Sequence, residues 1–244
     1  RYGVYTKSPL TGFYAESYSG GKVPEAIDSA GFDAIILSGK SKSPTVLSIN
    51  PDGVIFHPAG TLWGMETFEA EEQAVKRFAF DREDFFKPGA ITIGPAGEKL
   101  VRFAIIANDK WRCAGRTGVG AVLGSKLVKG VVFQGNRKRE YADQQAVAEY
   151  AKSFMKQNLN NPGVKAYKKL GTTMMVALMN TANAFPAKYW KQGRCDHWEE
   201  ISGETFHEEH DISPRSCAKC FMACGRLAKL KKGRHKGLKI EGPE

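Results

Sequence analysis

The 244-residue sequence contains no run of the roughly 18–20 uncharged apolar residues that a membrane-spanning helix needs, so no span is expected. It lacks a charged, apolar, small-residue leader of the secretory kind. Cysteine is scarce, with five residues. An odd count without such a leader argues against a disulfide framework and for a reducing, cytoplasmic setting. Acidic residues are outnumbered, 26 Asp and Glu against 36 Lys and Arg, which leaves a formal net charge of +10. The densest basic stretch, 226–239, contains no Phe, Tyr or Trp. It therefore lacks the stacking platform of a single-strand nucleic-acid binder and reads as a solvated face or a docking surface. Internal repeats and low-complexity tracts are missing too. What is present, 42% hydrophobic and 25% charged residues, is an ordinary globular composition and excludes disorder as a description of the whole.

The first part of the chain is rich in Gly and in short β-branched runs bounded by turns. Residues 33–37, 45–49, 53–56, 90–93, 101–106 and 130–133 each read as buried strands. Asn50-Pro51-Asp52-Gly53 supplies turn chemistry, which predicts a hairpin over 45–56. Helices are expected at 24–30, 66–80 and 118–126. From Tyr141 the pattern turns helical, with apolar residues at three- and four-residue spacing over 142–157 and a methionine-rich segment over 172–184. The prediction is an α+β protein, with a β-rich domain over 1–136 and the beginning of an all-α domain over 137–244. The chain opens in a strand without Met and closes on Glu241-Gly242-Pro243-Glu244, so both ends read as cut from a longer polypeptide.

Two local patterns carry chemistry. Cys217, Cys220 and Cys224 are spaced Cys-x2-Cys-x3-Cys. Three thiolates that close can wrap one face of an iron–sulfur cube, with a fourth ligand from elsewhere. They could also belong to a structural zinc site if Cys195, His197, His207 or His210 joined them. The second pattern is the glycine-rich stretch 112–126, with Arg112 and Arg116 beside Gly115, Gly118, Gly120 and Gly124. Glycines allow close approach of a ligand to the backbone, and two arginines can clamp phosphate. It is neither a P-loop nor a dinucleotide fingerprint. Gly12, Gly20 and Gly21 repeat the theme on a smaller scale. His207-Glu208-Glu209-His210 is not the metalloprotease pattern and reads as a surface stretch.

Taken in order, these segments resemble the tungsten-dependent aldehyde:ferredoxin oxidoreductase family. The carriers are Thr6-Lys-Ser-Pro-Leu-Thr-Gly12, Ser19-Gly-Gly21, Ala30-Gly-Phe-Asp-Ala-Ile-Ile36, Leu62-Trp-Gly64, Ile93-Gly-Pro-Ala-Gly-Glu98, the 114–126 stretch, the cysteine motif and Glu241-Gly-Pro-Glu244. The resemblance implies a two-sheet base domain under a tungsten bis-pterin cofactor, followed by helical domains and a [4Fe-4S] cluster. It implies that Arg1, Gly20, Gly21, Arg112, Gly115 and Arg116 contact the pterin and its phosphates. Backbone carbonyls at Tyr18 and Cys113, where relatives often have Asn and Ala, would hold a bridging Mg2+. Cys217, Cys220 and Cys224 would be three of the four cluster ligands. The fourth ligand and the catalytic acid–base residues would fall after Glu244, leaving this stretch inactive alone. The implied activity is oxidation of an aldehyde to a carboxylic acid, with electrons leaving to ferredoxin, in a cytoplasmic enzyme of anaerobes that could form a homo-oligomer. Use of molybdenum, or an acyl or ring substrate on the same scaffold, remains open. So does a reading of another class, a zinc-stapled basic module that binds nucleic acid.

Overall fold

The computed structural model describes residues 1–241; the last three residues of the closing Glu-Gly-Pro-Glu motif lie outside the described residues. The chain splits into two compact units, Arg1–Glu140 and Tyr141–Glu244.

In the first unit, β1 (Tyr2–Lys7) and β2 (Tyr14–Ser19) form an antiparallel pair with Tyr2 opposite Ser19. Helix α1 (Val23–Ser29) follows, with Pro24 in its first turn. Next come β3 (Thr45–Asn50) and β4 (Gly53–Pro58), the expected hairpin. Its turn is held by Asn50 Oδ1, which accepts from the N–H groups of Asp52 and Gly53. The unit continues with α2 (Thr67–Phe78), β5 (Gly89–Thr92), the short α3 (Pro95–Glu98), β6 (Ile106–Asn108), β7 (Arg112–Ala114), α4 (Val119–Ser125) and β8 (Val128–Phe133). Six strands make one mixed sheet in the order β4-β3-β8-β5-β6-β7, with β3 and β8 parallel. This is an α+β arrangement with two sheets.

Every residue of β3 and β8 is buried, because alternate side chains feed two different cores. Leu47, Ile49, Val131 and Phe133 pack with Val23 of α1 and Val119 and Leu123 of α4. Val46 and Val132 face Ala74 of α2 and Leu62 of the turn before it on the other side. Lys129 is also fully buried on β8. Its ammonium reaches Glu98 Oε1 at 2.5 Å and the Met65 carbonyl at 2.7 Å. Both oxygens of Glu98 in turn accept from the Gly64 N–H at 2.9 Å. One buried ion pair thus ties the 62–65 loop to the 93–98 segment.

Two expected strands are corrected. Residues 33–37 form no strand, and Ile36 is 89% exposed. An apolar run becomes a strand only when a neighbour takes up its ladder hydrogen bonds, and none of the described residues does so. The run instead borders a cavity of about 600 Å³ opposite β1. In 101–106 only Ile106 lies in a strand. The backbone before it is committed to α4, whose Gly120 N–H bonds the Ala104 carbonyl.

The second unit begins with α5 (Gln144–Asn158), α6 (Pro162–Leu170), α7 (Met174–Thr181) and α8 (Gly203–Glu209). Asp143 caps α5 by accepting from Ala146 N–H, and Asn161 caps α6 through Gly163 and Val164. The helices expected over 142–157 and 172–184 are present as α5 and α7. The unit is not helical throughout, however. β9 (Asp211–Arg215), β10 (Gly225–Lys229) and β11 (Lys239–Glu241) form an antiparallel sheet with β10 in the centre. The basic stretch is therefore a strand, a turn and a second strand, with Arg226 and Ala228 turned inward. The apolar stripe of α5 buries none of its residues; Tyr150 is 70% exposed.

Candidate functional site

In the first unit, two loops meet at one buried amide. The first, Gly20-Gly21-Lys22, leaves β2. The second is the β6–β7 hairpin and its continuation through Gly115-Arg116-Thr117. Asn108, at the end of β6 and paired with Arg112 across the hairpin, is fully buried. Its Oδ1 accepts from the Tyr2 hydroxyl at 2.9 Å and the Ser19 hydroxyl at 2.7 Å, and its Nδ2 donates to the Gly20 carbonyl at 3.0 Å. Next to it, the Asp109 carboxylate accepts from the N–H groups of Lys22 and Val23, at the start of α1. Gly21 has φ +84°, and a Cβ there would lie 2.0 Å from Asp109 Oδ2, so only glycine fits.

The hairpin turn itself is strained, with Asp109 and Lys110 both at positive φ. Glu71 of α2 holds it, accepting from Asp109 N–H at 2.7 Å and Lys110 N–H at 2.9 Å. Burial pushes the Glu71 carboxyl above its usual range, and these two backbone bonds oppose the shift. Burial likewise raises the Tyr2 phenol, which stays a neutral donor to Asn108. On the far side, Arg116 N–H bonds Ser17 Oγ at 3.0 Å and Ser8 Oγ bonds the Thr117 carbonyl at 2.7 Å. The second loop is thereby laced to the β1–β2 pair.

Of the residues singled out from sequence, Gly21 and Arg112 are buried, while Arg1, Tyr18, Cys113, Gly115 and Arg116 reach solvent. Gly20 is half-buried and gives its carbonyl to Asn108. The Tyr18 hydroxyl is engaged by Glu16 at 3.0 Å and Tyr5 at 3.4 Å, and these contacts raise its pKa. No described carboxylate forms an ion pair with Arg116. The exposed backbone of Gly115-Arg116, two arginines and the tight Gly20-Gly21 turn suit a phosphorylated ligand. The later glycines have a different explanation. A Cβ at Gly118, Gly120 or Gly124 would lie 1.9–2.2 Å from the carbonyl oxygens of Arg102, Ile105 or Gly97. They let α4 pack against backbone, and they need no ligand.

In the second unit, Cys217, Cys220 and Cys224 all sit in the loop joining β9 to β10, and none of them is in a disulfide. The Cys220 N–H bonds the Cys217 carbonyl, and Lys219 and Ala223 take positive φ, so the loop doubles back on itself. No group of three or more His, Cys, Asp and Glu among the described residues is gathered for a metal. Neither Cys217, Cys220 and Cys224 by themselves nor Cys195, His197, His207 and His210 with them are gathered in this way. The donor chemistry, three cysteines on one turned loop, suits a thiolate-bound cluster whose remaining ligand comes from elsewhere. Lys231 and Lys232, in the basic turn, pair with Asp211 and Glu209 at 2.6 and 2.5 Å.

Sequence reasoning missed Asn108, Asp109, Glu71 and Lys129. The one available signal was an uncapped Asn-Asp pair between two short apolar runs.

This combination of a two-sheet α+β unit with glycine–arginine loops and a thiol-bearing unit is matched by one family of proteins. The N-terminal domain profile of aldehyde ferredoxin oxidoreductases matches residues 1–135, and the profile of their domains 2 and 3 matches residues 149–244. The chain belongs to the aldehyde ferredoxin oxidoreductase family. It is 36% identical over 231 residues to the tungsten-containing aldehyde ferredoxin oxidoreductase of Thermococcus kodakarensis, covering 94% of this chain and 37% of the relative. The Pyrococcus furiosus protein of the same name is 35% identical, with the same coverage. The WOR-like subunit of an aliphatic sulfonate oxidoreductase from Pyrococcus furiosus is 28% identical over 99% of this chain and 40% of its own length. Among solved structures, the active-site complex BamBC of benzoyl coenzyme A reductase, bound to 1,5-dienoyl-CoA, superposes with a TM-score of 0.73 at 25% identity. It spans 98% of this chain and 37% of that one. The chain thus corresponds to under half the length of these relatives. Among the described residues no helix is long and apolar enough to cross a membrane.

Proposed function

We propose that this chain is the part of a tungsten-pterin oxidoreductase that cradles the pterin and supplies three ligands of a [4Fe-4S] cluster. The whole enzyme oxidises an aldehyde to a carboxylic acid and delivers the electrons to ferredoxin. Arg112, Arg116 and the backbone of Gly20, Gly21 and Gly115 bind the pterin and its phosphates, with Arg1 beside them. The carbonyls of Tyr18 and Cys113 are the candidate ligands of a Mg2+ between the phosphates. Cys217, Cys220 and Cys224 ligate the cluster. When bound, the metal–pterin group supplies the two-electron oxidation, with oxygen from water, and the cluster supplies a one-electron outlet. The protein's own part is to hold the anionic groups and fix their orientation. The observation that carries this reading is the convergence of the Gly20-Gly21 and Arg112–Arg116 loops on Asn108, in a chain matched to the family along its length. The enzyme is expected to be cytoplasmic.

The test is elemental analysis of the full-length protein, produced anaerobically with tungstate and molybdate both present. About one W and about four Fe per chain are expected, followed by aldehyde-dependent reduction of ferredoxin. Mo in place of W would change the metal but keep the scaffold. Zn without Fe, W or Mo would overturn the reading in favour of a zinc-stapled nucleic-acid module.

A second reading is favoured by the superposition on the benzoyl coenzyme A reductase complex. There the same scaffold would act on an acyl or ring substrate. Turnover of aromatic CoA thioesters without turnover of aldehydes would select it.

A further inference from the structure

A deeply buried charged side chain of the second unit stands two residues after Cys224. Arg226 on β10 is 2% exposed, and no carboxylate among the described residues pairs with it. Its guanidinium is surrounded by backbone carbonyls instead. Nη1 donates to Ala223 and Gly225, both at 2.7 Å, and these residues flank Cys224 on either side. Nη2 donates to Tyr167 at 2.8 Å and Lys168 at 2.5 Å, in the last turn of α6. Nε is buried with no hydrogen-bond partner. Gly171, at φ +71°, closes the pocket. A Cβ there would lie 2.4 Å from the Cys224 carbonyl and 3.0 Å from Arg226 Cγ.

A guanidinium keeps its proton at any accessible pH, so this is a permanent buried cation. Burying one without a counter-ion is costly, and an apolar side chain of similar size could fill the space. What the arginine adds is a fixed carbonyl geometry on both sides of a thiol, and a positive charge within the same turn. Buried charges are poorly screened and act strongly on a nearby redox group.

We propose that Arg226 is a positioning residue of the cysteine loop and the built-in counter-charge of the group its thiolates bind. This rests on the reading of Cys217, Cys220 and Cys224 as cluster ligands. On one-electron reduction the cluster and its thiolates become one unit more negative, with no bond made or broken and no proton taken up. A fixed cation beside them favours the reduced state and raises the potential. The electron comes from the metal–pterin centre and leaves to a one-electron acceptor of the ferredoxin class.

The experiment uses the full-length protein, prepared anaerobically as wild type, Arg226→Gln and Arg226→Lys. Iron is counted per chain, and the cluster potential is measured by EPR-monitored redox titration. Absence of iron from the wild type would overturn the cluster reading itself, and the proposal with it. With iron present, Arg226→Gln is expected to shift the one-electron reduction equilibrium at least tenfold toward the oxidised form, about 59 mV. Arg226→Lys, which keeps the charge, is expected to stay within threefold of wild type. A fully loaded Arg226→Gln protein with the wild-type potential would overturn the proposal. If Arg226→Gln does not load iron, Arg226→Lys decides: rescue of both iron and potential supports the proposal, and a tenfold shift defeats it. If neither variant loads iron, Arg226 serves folding alone and the proposal falls.

Discussion

The two units bury different things. In the first, β3 and β8 are covered on both faces by aliphatic side chains from α1, α2 and α4. In the second, the buried apolar side chains among the described residues are Val164 and Ala228. Arg226, Thr173, Asn180 and Ser202 are buried beside them, and each makes hydrogen bonds. Asn180 Oδ1 holds the Cys195 N–H, Ser202 caps α8, and Arg226 holds four carbonyls. At roughly 1.5–3 kcal/mol per buried aliphatic side chain, the first unit draws on a large transfer term that the second does not have. Among the described residues, the first unit is held by apolar burial, and the second buries few apolar side chains and several hydrogen-bonded polar ones.

The sharpest way to break that comparison is at a buried charged pair of the first unit, Lys129–Glu98, which like Asn108 is a polar group inside it. Lys129→Met leaves a buried carboxylate uncompensated, and a loss of about 3–5 kcal/mol is expected by urea titration. Adding Glu98→Gln should return a good part of it. A single variant as stable as wild type would mean that polar burial matters no more in one unit than in the other. Next, Leu47→Ala on β3 should cost about 2–5 kcal/mol. Val147→Ala on the exposed stripe of α5, in the same 244-residue chain, should stay within about 0.5 kcal/mol. Equal losses at the two positions would erase the contrast. The smallest effect concerns Glu71. Its folded-state pKa is raised by burial, so the folded protein takes up the proton before the unfolded chain does as pH falls. Wild type should therefore gain stability relative to Glu71→Gln as pH drops from neutral through the raised value, and stop gaining below the unfolded carboxylate range. Melting curves of both proteins between pH 7 and pH 3 check the sign.

Legibility in the sequence followed the range over which each feature is determined. The hairpin expected over 45–56 was readable because Asn50 satisfies its own turn within three residues. Helices α1, α2, α4, α5 and α7 were readable from spacing and first-turn chemistry. The run 33–37 was misread because β-branched residues state a preference, whereas a strand requires a neighbour. The sheet of β9, β10 and β11 was unreadable because Lys, Arg and Pro214 hide its alternation, and the inward side chain at the start of its central strand is Arg226. The glycine–arginine stretch stood out locally, yet three of its glycines serve backbone packing. Asn108, which joins the two loops, could not be found from spacing at all. Its partners Tyr2, Ser19 and Gly20 lie 106, 89 and 88 residues away.

That separation has a consequence for the order of events when the protein is made. A chain emerging from the ribosome presents Gly20 and Gly21 long before Asn108 exists, and at the usual speed of synthesis the interval is about 4–18 seconds. Until then the first loop has no register and the Tyr2 and Ser19 hydroxyls have no common partner. Closing so long a span comes late compared with local hairpins and helices. The two loops can therefore meet only once the hairpin that carries Asn108 has been synthesised.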